Sequence, residues 1–137
     1  MKIIKYFFEF IIIISLFCTF KIVGFKNASN FGGILGQFVG PFFRSKNIIK
    51  ENIKIGLPNI DKEKTEKIIS KMWSNIGRTF AEYMFLKKLR DDKNNFNHIK
   101  IDGLQYLKQI KESNEPVIFY SAHFGNFELM AMELDKF

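Results

Sequence analysis

Cysteine is almost missing: Cys18 is the single one in 137 residues, so no disulfide framework can exist. It lies inside a hydrophobic segment, and the bulky Phe17 before it excludes a lipoprotein-type cleavage site. Acidic residues are also few, 14 against 21 Lys and Arg, which leaves a formal net charge of +7. That balance suits an anionic membrane surface or an acidic protein partner. The lysines are dispersed and no nucleic-acid-binding motif accompanies them, so no nucleic-acid partner is expected. Histidine is nearly as scarce as cysteine, with only His98 and His123. The length allows at most one domain plus an anchor.

What is present begins with a long apolar run. Tyr6 to Phe20 carries one charge, Glu9. Its fifteen residues make about 22 Å of helix, short of the ~30 Å hydrocarbon core, but snorkelling of Lys5 and Lys21 would let Ile3 to Phe25 span. No A-x-A-like site follows, so residues 1–25 read as a retained membrane anchor. Lysines flank the run on both sides, and charge alone leaves its orientation open.

Residues 26–60 form a Gly-rich and basic membrane-proximal stretch. Gly32, Gly36 and Gly40 are spaced by four, which on a helix makes one stripe open to close backbone approach. A flexible apolar loop ending at Pro41 is the other reading, since glycine is a poor helix former. Arg44 to Ile55 reads as a basic amphipathic helix ended by Gly56 and Pro58. Its basic face suits either anionic headgroups or plain solvent.

Residues 61–137 carry the remaining organisation. Asp61 is the expected N-cap of a helix reaching Leu89, with Ile69, Met72, Trp73, Ile76, Phe80, Tyr83 and Met84 as its apolar stripe. Arg78 and Glu82 stand i,i+4 and suit a simple pair. A polar connector, Arg90 to Asn95, leads to an expected strand at Phe96 to Ile101. A helix from Leu104 to about Lys111 follows Gly103.

The chemistry concentrates in Pro116 to Phe137. Val117 to Tyr120 is an apolar, β-prone run expected to form a buried strand. Ser121 to Asn126 supplies a turn, with Gly125 free to take unusual backbone angles and Asn126 as N-cap. Phe127, Met130, Ala131 and Leu134 then recur at helical spacing and should face a core. On one continuous helix His123 and Glu128 would point about 140° apart. They meet only if His123 lies in the turn and Glu128 in the first helical turn. There the helix dipole favours the carboxylate, and a hydrogen bond to the imidazole would make His123 a base for a hydroxyl proton. A satisfied histidine at a strand end is the competing reading. His98 reads as structural, and a zinc site from His98, His123 and Glu128 lacks the short-range ligand pairing such sites show.

The segment SAHFGNFELM resembles the H-x4-D/E motif of the glycerolipid acyltransferase superfamily. With Glu at its end and VIFYSAH leading into it, it resembles the lipid A biosynthesis (lauroyl/myristoyl) acyltransferases. The order of the upstream segments agrees: a hydrophobic N-terminus, NIKIGLP at Asn52 to Pro58, WSNIG at Trp73 to Gly77 with Glu82 beyond, and IDGLQYL at Ile101 to Leu107. Ala122 and Glu128 differ from the Asn before the His and the closing Asp of the glycerol-phosphate arm.

The resemblance implies an α/β fold, a truncated αβ acyltransferase sandwich behind an N-terminal membrane-anchor helix. It implies transfer of a fatty acyl chain from acyl carrier protein to a hydroxyl of an anionic lipid A precursor. The place would be the cytoplasmic face of the bacterial inner membrane, with no cofactor beyond the acyl donor. His123 would be the general base and Glu128 its orienting acid. Backbone N–H groups of Phe124, Gly125 and Asn126 would meet the substrate's oxyanion. The resemblance covers nearly the whole chain but about the first half of the family's usual length. The 137 residues alone are therefore expected to have little or no activity. A non-catalytic membrane-anchored module and a phosphatidylinositol mannoside-type or other lysophospholipid acyltransferase are the alternatives.

Overall fold

The computed structural model describes residues 2–91 and 101–135. Every regular element among them is helical. In order these are α1 (Lys2–Val23), α2 (Phe25–Val39), a 3-10 turn (Gly40–Phe42), α3 (Lys46–Gly56) and α4 (Lys62–Glu82). A second 3-10 turn (Tyr83–Phe85), α5 (Leu86–Asp91), α6 (Leu104–Ser113) and α7 (Glu128–Leu134) complete the order. The chain divides into two compact units at Phe85 and Leu86.

In the first unit α1 is long and apolar enough to cross a membrane, judged by length and composition. Its 22 residues extend about 33 Å. Only its C-terminal part meets protein. Leu16 and Phe17 pack against the cluster of Phe20, Ala28, Ala81 and Phe85, while residues 2–15 stand exposed. Gly24 separates α1 from α2 at φ 80°, ψ 166°, a region open essentially to glycine alone.

The four-residue glycine spacing is indeed helical and makes the tightest contact of the unit. Gly32 and Gly36 of α2 lie on Gly77 of α4, and Gly40 lies on the Trp73 ring. A Cβ added at Gly36 would strike the Trp73 carbonyl, and one at Gly77 the Gly32 carbonyl. The backbones approach because no side chain stands between them. This contact rotates the expected face of α4. Ile69, Trp73 and Ala81 are buried around Gly77, whereas Ile76, Phe80 and Tyr83 lie outside the packed face. Size marked the stripe in the sequence, but the small residues make the contact. The expected helix to Leu89 is also interrupted, by the turn at Tyr83–Phe85.

α3 docks on α4 through Ile49, Ile69 and Trp73. Glu66 of α4 clamps it from outside, 2.7 Å from Lys46 Nζ and 2.8 Å from Lys50 Nζ. Hydrogen bonds from Lys46 and then Lys50 draw the Glu66 carboxyl down to about 2 from its ordinary 4.5. A carboxyl depressed in the folded state adds stability above its unfolded pKa and loses it as pH falls through the folded one. Glu66→Gln should therefore lower the melting temperature modestly near neutral pH, since the pair is solvent-screened. In parallel melts that difference should shrink below pH 4.5 and close near pH 2. A difference independent of pH would refute the clamp. Asp61 caps α4 as expected, its Oδ1 accepting from Lys64 N at 2.7 Å.

The second unit holds α5, α6 and α7. α6 begins at Gly103, which is left-handed at φ 88°, and ends at Asn114, left-handed at φ 52°. The α/β expectation fails here. Val117 to Tyr120 pairs with no strand among the described residues, and Ile118 and Tyr120 are 92% and 96% exposed. A β-prone run becomes a strand only when a neighbour takes its backbone hydrogen bonds, and no described segment lies alongside to do so. The other expected strand, Phe96 to Ile101, lies outside the described residues apart from Ile101, which is irregular. The apolar face of α7 is likewise not a core: Phe127 and Leu134 are half-buried and Met130 and Ala131 exposed.

Candidate functional site

His123 occupies the turn foreseen for it. Phe124 N donates to the Ala122 carbonyl at 2.9 Å, closing a three-residue turn with His123 at its centre. Asn114 is the one described non-glycine residue with positive φ, so the turn is of the inverse γ type. At its apex the imidazole faces solvent, and its ring packs against Phe127 at a centroid distance of 4.2 Å and 61° between planes. Gly125 then turns the chain at φ +53°. A Cβ there would meet nothing within 4 Å, so the backbone angle alone requires glycine.

Glu128 is the first residue of α7, where the helix dipole favours its charge. The turn thus brings His123 and Glu128 into the two settings that the spacing requires. It does not join them: no hydrogen bond or ion pair among the described residues links the two side chains. Phe127, rather than Asn126, stands at the N-cap position, and no side chain caps the helix. Of the three backbone donors considered for an oxyanion, Phe124 N–H is taken by the turn. Gly125 N–H has no partner among the described residues. His98 lies outside the described residues.

The sequence reading missed a second polar group, between α2 and α4. Arg78 Nη1 donates to Asn30 Oδ1 at 2.7 Å and to Ser29 Oγ at 3.3 Å, and Ser29 Oγ donates to Glu82 Oε1 at 2.7 Å. Arg78 and Glu82 are thus linked through a nearly buried serine from another helix. The i,i+4 spacing marked two of these residues. Nothing local marks Ser29 or Asn30, whose places depend on the glycine contact that sets α2 against α4.

Across the whole chain, residues 1–137, the sequence matches the family model of the bacterial lipid A biosynthesis acyltransferases. The chain belongs to that family, whose members are acyltransferases. Neither curated proteins nor solved structures contain a match to it.

Proposed function

We propose that this chain serves the transfer of a fatty acyl group from acyl carrier protein to a hydroxyl of a lipid A precursor, at the cytoplasmic face of the inner membrane. The observation that carries the reading is the family match over all 137 residues. The position of His123 at a solvent-facing turn, five residues before a helix-starting glutamate, supports it. The acceptor hydroxyl gives its proton to the free imidazole nitrogen of His123. Its oxygen attacks the thioester carbonyl carbon, forming a C–O bond and a tetrahedral oxyanion. Gly125 N–H is the backbone donor for that oxyanion. The C–S bond breaks, the imidazolium returns the proton to the departing thiolate, and ester and free thiol leave. Glu128 serves by turning towards the imidazole and balancing its charge, as the acid does in base–orienter pairs.

α1 and the excess of cations suit both partners. The acceptor is an anionic membrane lipid and acyl carrier protein is acidic.

The test is a product assay on membranes containing the natural gene product that carries these 137 residues. Acyl carrier protein charged with a labelled acyl chain is the donor. Expected is an ester on the lipid A precursor, with little or none on a lysophospholipid or phosphatidylinositol mannoside acceptor. Preference for either of those would move the chain to another branch of acyl transfer. No transfer to any acceptor would leave a non-catalytic membrane module.

A further inference from the structure

α2 is packed inside out for a water-soluble helix. Its inward stripe of Ala28, Gly32 and Gly36, continued by Gly40, is the small one; Gly32 and Gly36 meet the α4 backbone and Gly40 the Trp73 ring. Phe25 and Leu35 pack on the core cluster, but the other large apolar residues of α2 point the other way. At 100° per residue Phe31, Ile34 and Phe38 fall within about 60° of one another, on the side away from the glycines, and Phe42 follows in the 3-10 turn. Phe38 is 72% exposed and Phe42 89%, and Phe43 beside it is 80% exposed. A soluble helix places its polar residues on such a face. Helices in lipid pack through small residues and turn large apolar ones outward.

Two further observations identify what covers the face. It begins beside α1, where Phe31 packs edge-on against the buried ring of Phe20. It also lies in the longest stretch free of acid. Between Glu9 and Glu51 the chain has no Asp or Glu, but it has Lys21, Lys26, Arg44, Lys46 and Lys50. Lys46 and Lys50 are held by Glu66, which leaves Lys21, Lys26 and Arg44 as the cations of this stretch. Aromatic and aliphatic side chains bordered by such cations match the boundary between acyl chains and anionic headgroups. The packing of α1 points the same way. The unbroken exposed run is residues 2–15, about 21 Å, which is less than a ~30 Å hydrocarbon core; beyond it one side of α1 is covered by protein. Phe20 is 1% exposed inside the helical unit, so α1 cannot sink further without taking α2 with it.

We infer that α2 and the 3-10 turn after it form a second lipid-contacting surface. Phe31, Ile34, Phe38 and Phe42 are immersed at an anionic bilayer interface, and Arg44 lies at the headgroups. The inference rests on the reading of α1 as a membrane anchor to bring the chain to the bilayer.

The test uses the full chain with Cys18→Ser, bound to phosphatidylglycerol–phosphatidylcholine vesicles. Single cysteines are introduced as Ile12→Cys, Phe38→Cys, Phe42→Cys or Lys71→Cys and labelled with an environment-sensitive fluorophore. Lys71 is exposed on the side of α4 away from α2. Labels at positions 12, 38 and 42 should shift to the blue and lose emission when the lipid tails are brominated; the label at 71 should do neither. Quenching at 12 with 38 and 42 left in water would overturn the inference and leave the anchor standing. Labels at 38 and 42 shielded from aqueous iodide yet untouched by brominated lipid would also overturn it, because a second copy of the chain would then cover the face. Absence of lipid quenching at every position would remove anchor and surface together.

Discussion

Replacing Gly77 with leucine is expected to lower the melting temperature of the detergent-solubilised chain by about 10–20 °C, or to abolish a cooperative transition. A Cβ at this position would overlap the Gly32 carbonyl and come within 2.9 Å of Gly36 Cα. Both obstacles are backbone, so no rotamer change relieves them. Small-to-large changes in packed interiors cost about 1–3 kcal/mol and more when backbone must move. For a unit of this size each kcal/mol is worth about 4–8 °C. Gly77→Ala is a finer probe. Helix propensity alone predicts a gain of about 1 kcal/mol, while the collision predicts a loss, and the collision should prevail. Gly56→Ala supplies the opposite sign. Nothing lies within 4 Å of a Cβ there and its φ is ordinary, so a gain of about 0.4–1 kcal/mol is expected. Circular dichroism melts of the three variants decide the matter. Equal stability of Gly77→Leu and the parent would show that α2 and α4 do not touch as described.

The glycine contact also explains which parts of the structure could be read from the sequence. Elements with local signals were legible. Asp61 caps α4, Gly56 and Pro58 mark the end of α3, and Gly125 takes the left-handed turn that its position suggested. Each depends on one or two residues and their immediate backbone. The buried face of α4 was read correctly at Ile69 and Trp73, and one position out at Ile76 and Phe80, because periodicity counts large apolar residues. Gly77 and Ala81, which make the face, contribute nothing to such a count. The strand at Val117 to Tyr120 failed for a different reason. Its residues have the composition of a strand, but pairing is a property of two segments and cannot be read from one. Ser29 and Asn30 belong to the same class of non-local fact, since Arg78 reaches them only across the α2–α4 contact.

The candidate site was legible in its backbone and less so in its side chains. The spacing His-x4-Glu required a turn followed by a helix start, and both are present. Phe127 as the neighbour of the imidazole was not foreseen, because it was assigned to a core-facing stripe. That contact suits a positioning role: an aromatic ring edge-on to an imidazole restricts its orientation without occupying either nitrogen.

In the natural gene product, His123→Ala should lower acyl transfer by a factor of about 10²–10⁴, the usual worth of a general base. The fold should be unaffected, because the side chain is exposed and touches only Phe127 among the described contacts. Changes at such positions usually stay within about 0.5 kcal/mol, so melts and membrane recovery of the variant should match the parent. Glu128→Gln should fall between the two in rate, since it removes charge balance but leaves the base. If the two carboxamide and alanine changes act through one unit, the double variant should be little worse than His123→Ala alone. The decisive readout is the split between rate and binding. A base lost from the transition state lowers kcat and kcat/KM together, whereas a lost substrate contact would raise KM with kcat intact. Undiminished kcat in His123→Ala would remove the histidine from the chemistry and leave family membership as the sole support for acyl transfer.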